Sequence, residues 1–92
     1  MTYFVYIAQC ADKTYYCGYT TDIKRRETEH NSSKKGAKYT HNKRPITIKY
    51  FEEYQTLSES LKREYQLKKL THTEKAQLTK SATLHPMTSD SI

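Results

Sequence analysis

Residues 3–20 read YFVYIAQCADKTYYCGYT, and the way this stretch doubles back decides the architecture. Tyr3 to Gln9 and Tyr15 to Thr20 are rich in β-branched and aromatic side chains, while Ala11-Asp12-Lys13-Thr14 carries turn chemistry, so the pair is expected to form a β-hairpin. Because side chains alternate faces along a strand, the loop length fixes which of them meet. A three-residue loop pairing Ala11 with Tyr15 puts Phe4, Tyr6, Ala8, Tyr16, Gly18 and Thr20 on one face. Val5, Ile7, Tyr15, Cys17 and Tyr19 then line the other. A two-residue loop at Asp12-Lys13 would separate Tyr6 from Tyr16. In the first register Gly18 leaves a gap beside Tyr6, where a helix or a ligand can approach or where the strand simply bulges.

Downstream, Asp22 is placed to cap a helix from Ile23 to about His30, with Ile23, Arg26, Glu27 and His30 on one face. Lys34 to Arg44 has no periodicity and is expected to be a surface loop. Ile46, Ile48 and Tyr50 alternate with Thr47 and Lys49, predicting a third strand with one buried face that runs to about Tyr54. Thr56-Leu57-Ser58-Glu59 fits a capping box for a helix to about Leu70, and Thr71-His72-Thr73-Glu74 repeats the signal for a short final helix. Residues 81–92 lack Lys and Arg and contain Pro86, which reads as a disordered tail. The expected fold is α+β: a small three-stranded antiparallel sheet flanked by helices, in the order β-β-α-β-α-α, forming one domain over residues 1–80.

At 92 residues the chain can bury a modest core and leaves little room for a large cofactor cavity. Its net charge is +6, and the stretch from Lys24 to Arg44 holds eight cations against only Glu27 and Glu29, which points toward a polyanion. The opening apolar run is far shorter than the roughly 20 residues of a membrane-crossing helix. No secretory leader is recognisable, and a cytoplasmic protein without membrane association is expected. Cys10 and Cys17 are too few for a disulfide scaffold and lack zinc spacing, so they read as reduced and structural. Most of the nine tyrosines are expected in packing roles.

The residues able to do chemistry are scattered. A wheel of 100° per residue puts Leu57, Leu61, Glu64, Tyr65 and Lys68 in one sector, so Glu64 is expected to face inward. A buried carboxylate needs a partner, and Lys68 four residues on offers a purely structural ion pair. Arg26 and His30, also four apart, can point from the first helix toward the tyrosine face; alone, such a pair is ordinary solvated surface.

Phe4-Val5-Tyr6, Tyr16-Cys17-Gly18-Tyr19-Thr20, Arg26, His30 and Glu64 within Arg63-Glu64-Tyr65-Gln66-Leu67-Lys68 together resemble the GIY-YIG nuclease domain. The likeness is greatest to small stand-alone bacterial-type members with a Gly-Ala-Lys-Tyr-Thr segment, here Gly36 to Thr40, and it spans about Tyr3 to Leu78. Phe4-Val5 stands where Gly-Ile is usual and Cys17 where Ile is usual, both at packing positions. No counterpart is found for an Asn that longer members use beyond the glutamate.

The resemblance implies hydrolysis of DNA, with RNA the alternative polymer, by Tyr6, Tyr16, Arg26, His30 and Glu64. Glu64 would hold one Mg²⁺ or Mn²⁺. Tyr6 would be the general base and Tyr16 would position water or phosphate. Arg26 would fork onto phosphate oxygens, and His30 would bond Tyr6 or the phosphate. Lys34, Lys35, Lys38, Tyr39 and Lys43 would track the nucleic-acid backbone. A targeting partner protein fits such a small domain. A nucleic-acid-binding module without turnover accounts equally well for the charge, but leaves the tyrosine, arginine, histidine and glutamate set without a role.

Overall fold

The computed structural model describes residues 1–32 and 43–84, with side chains up to residue 80. Two strands, β1 (Tyr3–Gln9) and β2 (Tyr15–Thr20), precede helix α1 (Ile23–Ser32), strand β3 (Thr47–Tyr54) and helices α2 (Leu57–Lys68) and α3 (His72–Leu84). The sheet order is β2-β1-β3, with β1 antiparallel to both neighbours. This is the expected α+β fold in the expected order.

The hairpin loop has three residues, as expected, but sits one position earlier. Cys10 N–H donates to Thr14 O at 2.8 Å, so Ala11, Asp12 and Lys13 form the loop. Lys13 takes the left-handed conformation (φ 74°) that such loops need at their third position. Asp12 Oδ1 accepts from Thr14 N at 3.1 Å and from Thr14 Oγ1 at 2.5 Å, fixing the turn. Tyr6 therefore pairs with Gly18 and Ala8 with Tyr16. The shift of two residues in register preserves parity, so Tyr6 and Tyr16 still share a face.

The third strand departs from simple alternation. Ile7 pairs with Tyr50 but Ala8 with Ile48, leaving Lys49 as the extra residue of a bulge. An inserted residue reverses the facing of everything beyond it. Ile46 and Ile48 consequently pack with Tyr6, Ala8 and Cys10, while Tyr50 and Tyr54 pack on the opposite side with Val5, Ile7 and Cys17. The expectation that Ile46, Ile48 and Tyr50 share one buried face is thus corrected. Cys10 and Cys17 are free and lie in different clusters, as expected.

Helix α1 covers the Tyr6 face. Asp22 Oδ1 caps it by accepting from Arg25 N at 3.0 Å, and Ile23, Arg26, Glu27 and His30 form its inner side. Asn31 locks its end to the third strand: Nδ2 donates to Ile46 O at 2.7 Å, and Oδ1 accepts from Ile46 N at 2.6 Å. Glu27 Oε2 likewise accepts from Ile48 N at 2.7 Å.

Helices α2 and α3 cover the Val5 face, with Leu67, Leu70 and Leu78 in its core. Thr56 Oγ1 accepts from Glu59 N at 3.2 Å, and the box at Thr71 is fully reciprocal, with Glu74 N to Thr71 Oγ1 at 3.1 Å and Thr71 N to Glu74 Oε1 at 2.9 Å. The buried side of α2 is Ser60 and Leu67, whereas Leu57, Leu61, Tyr65 and Lys68 are exposed. The wheel found the apolar stripe but took it for the inner face. The small Ser60, whose hydroxyl bonds Leu57 O at 2.7 Å, lets the helix sit close to the sheet and rotates the stripe outward. Helix α3 runs to Leu84, four residues into the segment read as tail; residues 85–92 lie outside the described residues. Among the described residues no helix is long and apolar enough to cross a membrane.

Candidate active site

The hairpin parity brings Tyr6 and Tyr16 together, with ring centroids 6.3 Å apart. Tyr6 is 1% exposed, and its ring lies over Gly18. A Cβ at Gly18 would stand 2.8 Å from the Tyr6 hydroxyl oxygen and 3.2 Å from Tyr16 Cε2. The gap anticipated beside this glycine is filled by the tyrosines themselves, and glycine is what permits it.

From α1, Arg26 and His30 reach the same hydroxyl. His30 Nε2 lies 2.9 Å from Tyr6 Oη, and Arg26 Nε donates to Tyr6 Oη at 3.4 Å. With that arginine N–H already donating, the buried hydroxyl hydrogen is satisfied by donating to an unprotonated Nε2, which puts the imidazole proton on Nδ1. His30 is fully buried and meets Tyr16 edge-on at 5.4 Å between ring centroids. Its main-chain carbonyl accepts from Arg44 Nε at 2.5 Å.

Burial pushes the Tyr6 phenol up to about 12, against the pull of Arg26. Arg26 favours the ionised phenol, but burial outweighs it. Burial, helped by the Arg26 and Arg44 charges, pushes His30 down to about 4. At neutral pH a protonated phenol therefore faces a neutral imidazole, a proton donor hydrogen-bonded to an unprotonated acceptor.

Glu64 enters from α2. Its side chain is 16% exposed and pairs with Lys68 Nζ at 3.5 Å, the structural ion pair allowed for by their spacing. Its charge is a minor contribution to raising both Tyr6 and Cys17. Among the described residues no three metal-ligating side chains converge, so a cation here would rest on Glu64 with water and substrate oxygens. That suits a hard ion such as Mg²⁺, which keeps much of its hydration beside phosphates.

Of the expected backbone-tracking residues, Lys34, Lys35, Lys38 and Tyr39 lie outside the described residues. Lys43 is described: its Nζ meets Asp12 Oδ2 at 3.4 Å and its carbonyl accepts from Ala11 N at 2.9 Å, tying it to the hairpin turn. Two residues that sequence reasoning passed over belong to the site. Glu29 accepts from Arg26 Nη1 at 3.0 Å and also meets Arg25 Nε at 3.6 Å, and Arg44 holds the end of α1. The i,i+3 and i,i+4 spacings of Glu29 carried a signal for the first; nothing local carried one for Arg44.

A hairpin that stacks two tyrosines over a glycine, with Arg and His from the next helix on one phenol, is the frame of a GIY-YIG catalytic domain. Residues 2–77 match the family model of that description, and the chain belongs to this family of nucleases. The relatives are UPF0213 proteins. One from Desulfotalea psychrophila is 54% identical over 80 residues, covering 87% of this chain and 73% of its own length. Another, from Halobacterium salinarum, is 46% identical over 74 residues, covering 80% and 95%. The solution NMR structure of a protein from E. faecalis is similar, with TM-score 0.59 and 42% identity over 91% of this chain and 88% of that one.

Proposed function

We propose that this chain is a divalent-metal-dependent endonuclease that hydrolyses phosphodiester bonds in DNA, in the cytoplasm, in repair or recombination. Selectivity would rest on substrate shape and on a targeting partner protein. One observation carries the reading: a single buried phenol oxygen sits between an arginine N–H and a neutral imidazole nitrogen.

A phenol near 12 is ionised at pH 7 only at a cost of ~7 kcal/mol. The geometry offers a way around that cost. Tyr6 takes a proton from the attacking water as it passes its own to His30 Nε2, so no free phenolate forms. The substrate assists, because a phosphate on Arg26 offsets the positive charge that helps keep His30 low. Arg26 stabilises the charge building on the non-bridging oxygens, and Tyr16 orients water or phosphate beside Tyr6. Glu64 would hold one Mg²⁺ or Mn²⁺, which when bound supplies positive charge to the leaving oxygen.

A second reading, a nucleic-acid-binding module without turnover, is favoured by the protonated state of Tyr6 alone. Cleavage of plasmid and branched DNA with Mg²⁺ or Mn²⁺, with binding measured in parallel, separates the two. Arg26→Ala is expected to lose ~10²–10³-fold in rate, and Glu64→Ala to lose metal-dependent cutting while still binding. A wild type that binds but never cuts establishes the module. If Glu64→Ala cuts like the wild type, the metal assignment is wrong.

A further inference from the structure

The apolar stripe of α2 is left exposed. Leu61 is 41% exposed and Tyr65 62%, and together with Ser58, Lys62, Gln66 and Lys69 they line an open groove. The composition is that of a stacking platform with a cationic rim: an aromatic ring on an aliphatic floor, with two ammonium groups beside it. Lys69 Nζ stands 4.5 Å over one side of the Tyr65 ring, which steadies the ring.

The groove shares helix α2 with the candidate carboxylate. Tyr65 follows Glu64 directly, and the centre of the groove lies about a third of a turn around α2 from it. A strand whose phosphate sits at Glu64 would pass that third of a turn around α2 to reach Tyr65. We infer that this groove binds an unpaired stretch of the DNA strand being cut, one base stacking on Tyr65 and its phosphates pairing with Lys62 and Lys69. The inference rests on the nuclease reading for the identity of the strand.

Charge favours this occupant. A polyanion complements Lys62 and Lys69, whereas a second copy of the chain meeting face to face would bring those lysines toward their own counterparts. A duplex presents its base faces already stacked, so Tyr65 gains nothing from it. Single strands offer a free π-face at every residue.

The test is anisotropy binding of a fluorescent oligothymidylate and of a blunt duplex of equal length, with cleavage kinetics on a substrate bearing an unpaired arm. Tyr65→Ala is expected to weaken oligothymidylate about 5- to 100-fold, to leave the duplex unchanged, and to raise KM without lowering kcat. Tyr65→Phe keeps the ring and should restore binding. Replacing Lys62 and Lys69 together by Gln should reduce the salt slope for the single strand by ~1.4. Unchanged oligothymidylate binding in Tyr65→Ala, or an equal loss on duplex, overturns the inference while Glu64-dependent cutting still stands. Tyr65-dependent binding without any cutting keeps the groove and removes the nuclease. A wild type that binds neither probe sinks both.

Discussion

The two faces of the sheet each carry a polar network built from tyrosine and arginine, and the networks end differently. On the Val5 face, Glu52 accepts from Arg63 Nε at 2.9 Å and Nη2 at 3.1 Å, from Tyr54 Oη at 2.6 Å, and from Tyr50 Oη. The carboxylate is closed off: its acceptor sites are filled, its charge is matched, and its carboxyl is held below the usual range despite burial. On the Tyr6 face the phenol meets no carboxylate among the described residues. The acceptor is a neutral imidazole, and the arginine is shared with Glu29. A network with a matched anion holds elements together; one with a neutral acceptor and a nearby cation can pass a proton and receive a phosphate.

Mirrored substitutions break this contrast most sharply. Tyr6→Phe is expected to lower cleavage ~10²–10⁴-fold while costing about 1 kcal/mol in stability, since it removes the buried hydrogen bond to His30. Glu52→Ala should do the reverse. It strands Arg63 and two phenols, costing about 2 kcal/mol after allowing for partial exposure, and leaves cutting intact wherever the protein stays folded. Parallel rate and urea-denaturation measurements decide; equal loss of rate from both variants would erase the distinction between the faces.

The next effect is on pH. His30 binds its proton near 4 when folded and near 6.5 when unfolded. Below pH 6.5 the unfolded chain thus takes up more protons, so this residue's support is present above that pH and falls away as pH drops from 6.5 to 4. The full loss is ~3 kcal/mol. His30→Gln should flatten the stability curve across that interval relative to wild type, and a parallel curve would show that the imidazole is not held neutral. Glu52 gives up its contribution lower on the scale, as pH falls below its ordinary value of 4.5.

The smallest chemical change is at the glycine under the phenols. Gly18→Ala sets a methyl 2.8 Å from Tyr6 Oη, so the phenol must shift off Arg26 and His30, at about 1–3 kcal/mol of overpacking strain. Cleavage should fall by more than the stability loss explains, and the His30 ring resonances should move in NMR spectra. If rate and spectra stay at wild-type values, Tyr6 is not held as tightly as its contacts imply.

Much of this was legible locally. Parity is a property of loop length, so the hairpin paired Tyr6 and Tyr16 on one face even though the register differs by two. The box at Thr71 closes reciprocally with Glu74, and Thr56 caps α2 by accepting from Glu59 N, each without help from the rest of the chain. Asp22 capped α1 for the same reason. Facing was harder to read. The stripe Leu57, Leu61 and Tyr65 looked like the inner side of α2 because it is apolar, yet a helix buries the side that fits its partner, and Ser60 with Leu67 fits the sheet more closely.

The sequence by itself therefore determined the order of elements, the shared face of the two tyrosines, and a cationic chain suited to a polyanion, because each follows from neighbours within a few residues. Only the tertiary structure decided that Lys49 bulges and sends Tyr50 to the far side, and that Arg44 and Asn31 anchor α1. It also set Tyr6 up to about 12 and His30 down to about 4. Those outcomes depend on burial and on charges brought together from distant segments, and no spacing along the chain encodes them.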